Sequence, residues 1–320
     1  MAIAPRPPPS RRAKAASARA RRRSAFYQLL AVAAVALLAW WLASTTLQNM
    51  RLRGIQSGFD FLWAPAGFEI GEGLLPYQST DAYWRAFLAG LVNTLRVGVS
   101  GIVACTVLGT ALGAGRFSAN AIVRGVCWGY VELFRNIPLL LQMLTWYLVL
   151  TQFLPPIDEP ARIAGWIVMS KNGVAFGAGE DSPTLSPEFL AVLLGLSLYT
   201  AAFVAEIVRA GIAAVPRGQM EAASALGLPP RRVMRLVVLP QALRIIVPPL
   251  TSQYLNLIKN SSLAVAVGYP DLVSIANTSL NQTGRAVECI TIIMAVYLAL
   301  SLLISVLMNR VNRGAAIKER

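Results

Sequence analysis

The chain has 320 residues, of which 56% are apolar and only 14% charged, with a mean hydropathy of +0.56. A soluble domain carries about 25% charged residues, so a water-exposed globular protein is excluded. The formal charge of +14 on so few ionisable groups points to cytoplasmic membrane flanks, where Lys and Arg collect, and not to a nucleic-acid surface. Histidine is absent, which removes His-based zinc sites and His acid–base chemistry. Cys105, Cys127 and Cys289 lie far apart in apolar segments and form no metal spacing or disulfide framework. None of the four lysines follows a glycine, so the chain holds no phosphate loop of the GxxxxGK[ST] kind. Any ATP used must bind to another chain.

Residues 1–25 are rich in Arg, Ala and Pro without apolar periodicity and are expected to be a disordered basic tail. The run 26–47 is about long enough to span a bilayer and too long for the core of a cleaved signal. It is expected to be an extra N-terminal transmembrane helix, followed by an outer loop over 48–85. Further spans are expected near 86–114, 126–153, 189–215, 241–268 and 289–308. Between them lie a proline-rich loop over 154–188, two short breaks at 115–125 and 269–288, and a basic connector over 216–240. The expected fold is therefore all-α and polytopic, with about six transmembrane helices.

With the N-terminus inside and six crossings, the inner segments hold 20 Lys/Arg and the outer loops 6. That asymmetry places both termini, including the tail 311–320, in the cytoplasm. Two GxxxG spacings, Gly109/Gly113 and Gly125/Gly129, could bring helix backbones close together.

The connector contains Gly218-Gln219-Met220-Glu221-Ala222-Ala223-Ser224-Ala225-Leu226-Gly227, then Pro229-Pro230-Arg231-Arg232 and Leu239-Pro240. This predicts a short, smooth helix stopped by Gly227 and Pro229, then a second helix rising into the membrane. A small-residue surface lets another protein's groove approach closely, and Glu221 offers one fixed charge. An ordinary amphipathic connector is the alternative.

Glu221-Ala222-Ala223, Gly227 and Val237-Val238-Leu239-Pro240 resemble the Glu-Ala-Ala loop of ABC importer permeases, with Val237 in place of isoleucine. The stretches 198–209, 132–140 and 257–263 resemble the polar amino-acid branch (histidine, glutamine, glutamate, arginine) of that family. Tyr254-Leu255-Asn256 and Asn281-Gln282-Thr283-Gly284 look most like its broad-specificity L-amino-acid members. The resemblance covers 86–310 and implies a type I permease core of five spans, without catalytic residues of its own. It also implies a bacterial inner-membrane location and three kinds of partner besides membrane lipid. These are an ABC ATPase dimer that holds the ATP and Mg, a second permease of a different sequence, and a periplasmic amino-acid-binding protein. Glu221, Ala222, Ala223 and Gly227 then belong to the helix that docks on the ATPase. The tail, the span 26–47 and the loop 48–85 are additions to the minimal pattern.

Polar groups within spans need partners. Glu132/Arg135 and Glu206/Arg209 stand three apart and can each pair on one helix face, or touch substrate. Pro138 is expected to kink its span and free a carbonyl. Asn256, Lys259, Asn260, Ser261 and Ser262 cannot all face lipid. They suit either a helix–helix polar seam or a zwitterion pathway in which Lys259 meets a carboxylate, from substrate or from Glu132 or Glu206. An ion-coupled secondary transporter is the functional alternative, although the paired broken helices of such transporters are not visible.

Overall fold

Long apolar runs without water nearby satisfy their backbone groups only as helices or closed barrels, and this chain takes the helical route. The computed structural model describes residues 11–52, 54, 57–177 and 183–315. Helix α1 (Arg11–Leu52) lies in a unit of its own, Met1–Ser57, and all later elements belong to a second unit, Gly58–Arg320. Residues 1–10 of the basic tail fall outside the described residues. From Arg11 onward the backbone runs as helix α1, as suits Ala and Arg, which are among the strongest helix formers. From Leu29 to Trp41 the apolar side chains of α1 are exposed on every side, the pattern of a lipid-facing span.

The second unit contains α2 (Tyr83–Gly115), α3 (Ala121–Asn136), α4 (Leu139–Phe153), α5 (Pro187–Ala213), α6 (Arg217–Ala225), α7 (Pro230–Val233), α8 (Leu239–Asn260), α9 (Leu272–Thr283) and α10 (Ala286–Ala315). Among the described residues, five helical stretches are long and apolar enough to cross a membrane. The pair α3 and α4, bent by 104°, makes a sixth if counted as one span. The expected single span at 126–153 is thus two helices. Pro138 cannot donate to the helical ladder, and the carbonyls released at the bend find Gln142, whose Nε2 donates to Phe134 (3.0 Å) and Ile137 (2.9 Å).

Helices α2 and α5 form the centre. A Cβ on Gly109 would stand 2.6 Å from Val204 Cβ, and one on Gly113 would stand 2.6 Å from the Ala205 carbonyl oxygen. This GxxxG pair therefore joins two helices of the same chain, whereas nothing lies within 4 Å of a Cβ placed on Gly125 or Gly129. Val97, Cys105, Leu196, Ala201, Val204 and Leu257 fill the core around the seam. Cys105, Cys127 and Cys289 are all buried free thiols.

The loops 48–85 and 154–188 carry ordered structure of their own. Within 154–188, four short strands, β1 (Ala161–Ile163), β2 (Ile167–Ser170), β3 (Gly173–Phe176) and β4 (Thr184–Leu185), form an antiparallel sheet in sequence order. Ser170 pairs directly with Gly173 across a two-residue turn, an economical hairpin. The all-α expectation thus holds for the spans and not for this loop. The loop before α2 is pinned by polar contacts. Arg285 Nη1 lies 2.8 Å from Asp60 Oδ1 and donates to the Gly58 carbonyl (2.6 Å), while the Gly58 N–H donates to Glu288 (2.6 Å). Buried Asn93 donates to the carbonyls of Glu72 (2.8 Å) and Pro270 (2.9 Å). The break 269–288 contains helix α9, N-capped by Asp271, whose Oδ1 accepts from Ser274 N–H (2.8 Å).

Candidate functional site: the connector helix and the polar face of α8

Helix α6 ends in a closed Schellman turn. The Gly227 N–H donates to Ser224 (2.9 Å) and the Leu228 N–H donates to Ala223 (3.2 Å), which satisfies two of the carbonyls a helix end leaves open. Gly227 sits at φ +78°, where a Cβ is penalised. Ala223 is buried and Leu228 packs against the same apolar cluster, which also includes Val208, Val215, Val233 and Ala242. This contact between the two ends of the turn is the usual companion of the motif. Glu221, Ala222, Ser224, Ala225 and Leu226 face outward. Leu226 is 83% exposed, so an apolar knob projects from a surface made of small side chains.

From α6 the chain passes through α7 and a π-helical turn at Met234–Val238 into α8. Pro240 stands in the first turn of α8, where its missing N–H is tolerated. Gln241 Nε2 donates back to Val237 (2.9 Å). Pro248 and Pro249 lie inside α8, and each removes one ladder bond.

The five polar candidates near the end of α8 divide in two. Asn256 and Lys259 are exposed and Asn260 half-buried. At i, i+3 and i+4 they share one helix face, and exposed Ser252 extends the stripe by one turn. Ser261 and Ser262 serve the helix end instead: their hydroxyls donate to the carbonyls of Ile258 (2.8 Å) and Lys259 (2.7 Å). Lys259 borders a cavity of about 230 Å³ together with Ser262 and Tyr297. Among the described residues no carboxylate pairs with it. Glu206 instead holds Arg209 (2.5 Å) and Arg116 (3.0 Å). Glu132 makes no ion pair with Arg135, whose guanidinium lies 5.3 Å from the Phe203 ring centre.

Sequence reasoning missed Ser252, although its four-residue spacing from Asn256 was visible. It also missed Asp271 and Tyr297. Asp271 is 1% exposed, and its carboxyl and the Tyr297 hydroxyl are buried next to one another and interact. Burial pushes the Asp271 carboxyl up to about 7. Nothing in the spacing of these two residues marked them, because the fold alone brings α9 beside α10.

Residues 105–316 match the family described as "Binding-protein-dependent transport system inner membrane component". The chain is 40% identical to the general L-amino acid transport system permease protein AapQ of Rhizobium johnstonii, with 87% of this chain and 88% of the relative covered. It is 36% identical to the glutamate/glutamine/aspartate/asparagine transport system permease protein BztB of Rhodobacter capsulatus, covering 87% and 90%. It is also 37% identical to the glutamate/aspartate import permease protein GltJ of Escherichia coli, covering 74% and 90%. Among solved structures, an amino acid ABC transporter crystallised with histidines is similar at 30% identity and a TM-score of 0.58, covering 72% of this chain and 94% of that one. An ion-coupled secondary transporter is thereby displaced as a reading. The chain belongs to the binding-protein-dependent inner membrane components, as an amino-acid ABC transporter permease subunit.

Proposed function

We propose that this chain is the membrane subunit of an ATP-driven importer for polar L-amino acids in a bacterial inner membrane, with both termini cytoplasmic. It works with two ATPase subunits that carry the ATP and Mg, a second permease of different sequence, and a periplasmic amino-acid-binding protein. The observation that carries this is α6, a rigid helix with an outward surface of small residues and a packed inner side. ATPase closure against Glu221, Ala222 and the Leu226 knob pushes on Ala223 and Leu228. Those two share a cluster with Val208 of α5 and Ala242 of α8, so a push reaches both membrane helices.

The exposed stripe Ser252, Asn256 and Lys259, with Asn260 beside it, supplies the pathway. Exposed polar groups on a membrane helix require a watery cavity or a protein partner. An ammonium with no carboxylate partner among the described residues suits the carboxylate of a passing amino acid, and the amides and hydroxyl offer acceptors for its ammonium. Ser261 and Ser262 hold the end of α8 in place. The names of AapQ and BztB support a substrate class of L-amino acids that includes acidic and amide side chains. The test is purification of the tagged permease from its own cells. An ATPase subunit that co-elutes in stoichiometric amount is the expected result, and a permease that elutes without one contradicts the assignment.

A further inference from the structure

Where α2 ends, α3 begins and α5 finishes, a cavity of about 460 Å³ opens beside Arg116, Arg124 and Arg209. No acidic side chain among the described residues lines it. The carboxylate in contact is Glu206, set behind it and shared by Arg116 (3.0 Å) and Arg209 (2.5 Å). Arg124 donates to the Ser118 carbonyl (3.0 Å). Two of the three guanidinium groups lining the cavity share one carboxylate and the third, Arg124, has a carbonyl only, so the lining carries excess positive charge. We infer that this cavity binds the phosphodiester headgroup of an anionic phospholipid.

The guanidinium fork matches a phosphate oxygen pair better than any other cationic side chain. What favours a lipid over a free anion is the surroundings. Trp128 and Phe117, each about half exposed, also line the cavity, and Trp is enriched at headgroup level in membrane proteins. Ile122 and Val126, 76% and 65% exposed on the same helix, continue the surface as an apolar strip on which an acyl chain can lie. Basic pockets between transmembrane helices are the general geometry for acidic headgroups. Gly125 is also in the lining, and a Cβ there would have nothing within 4 Å, so the headgroup can approach the α3 backbone directly. The placement between two spans does not depend on which side of the membrane is cytoplasmic.

The test is native mass spectrometry of the purified importer complex, titrated with phosphatidylglycerol or with phosphatidylcholine of matched chains. Phosphatidylglycerol is expected to bind about tenfold more tightly, the scale of one charge-assisted contact. Arg124→Gln and Gly125→Leu should each reduce that preference severalfold, the first by removing charge and the second by filling the space. Millimolar inorganic phosphate should not displace the lipid. Equal retention of the two lipids by the unaltered complex overturns the proposal, as does a preference that survives both substitutions. Displacement by inorganic phosphate would overturn it in favour of a free-anion site. If either variant loses assembly, the lipid comparison and phosphate competition on the unaltered complex still decide.

Discussion

The Leu228 N–H donates to the Ala223 carbonyl across 3.2 Å, and this bond joins the exposed connector helix to the apolar interior. One end of the pair is anchored because Ala223 is only 5% exposed. Between them Gly227 holds a left-handed backbone that few side chains adopt. The connector is therefore a piece with a fixed angle to the interior.

The bend between α3 and α4 depends on Gln142. Replacing it with Leu keeps the volume but strands the carbonyls of Phe134 and Ile137, which Gln142 now satisfies. An unsatisfied buried acceptor costs about 1–3 kcal/mol. Gln142→Leu should lower the thermal midpoint of the purified complex by several degrees, while Gln142→Asn should recover part of the loss if the shorter amide reaches one carbonyl. An unchanged midpoint for the Leu variant would show that other groups satisfy the bend.

Lys259→Ala should reduce amino-acid uptake on the order of tenfold, the scale of one charge-assisted contact. Co-purification with the ATPase and the thermal midpoint should not change, because Lys259 is exposed and no carboxylate among the described residues depends on it. Uptake and melting measured on one preparation decide this. Normal uptake removes Lys259 from the pathway, and lost stability makes it a structural group.

Topology follows from charge. A reporter active only outside the cytoplasm should be silent when fused after Arg124 or Arg217 and active after Pro65 or Lys171. The motive is the split of 20 inner against 6 outer Lys/Arg. Activity after Arg217 would put the connector out of reach of any ATPase.

Asp271 gives a pH signature. Burial raises its carboxyl from 3.8 to about 7 in the folded chain. The folded state thus holds this proton more tightly than the unfolded one. Its contribution to stability is complete below about pH 4 and is lost as pH rises through about 7. Asp271→Asn, which keeps a capping oxygen, should flatten the fall of the thermal midpoint between about pH 4 and 7. An identical slope in the variant and the unaltered protein would show that Asp271 does not carry it.

Much of the membrane part was legible because a span is a local property: about 20 apolar residues in a row declare themselves. The stop at Gly227 was equally readable, since small residues followed by Gly and Pro constrain the backbone locally. The outward stripe on α8 was only half legible. Asn256 and Lys259 fell on the exposed face, but Ser261 and Ser262 turned out to bond their own helix end, which composition could not separate from a pocket role. The pairing of Glu132 with Arg135 failed because Phe203, 68 residues away in sequence, offers the guanidinium a ring face. The small sheet, the Arg285–Asp60 clasp and the Asp271 site all arise from contacts between distant segments, and no local pattern announces those.

The most direct test of the account is ATP-driven uptake by a complex carrying Gly227→Leu. The substituted side chain meets open space, so membrane insertion and the apolar core should be intact, and the penalty falls on the backbone at φ +78°. Normal amounts of permease are expected in the membrane, with uptake abolished and ATPase stimulation lost together. Uptake at the unaltered rate, with normal stimulation of the ATPase, would contradict it.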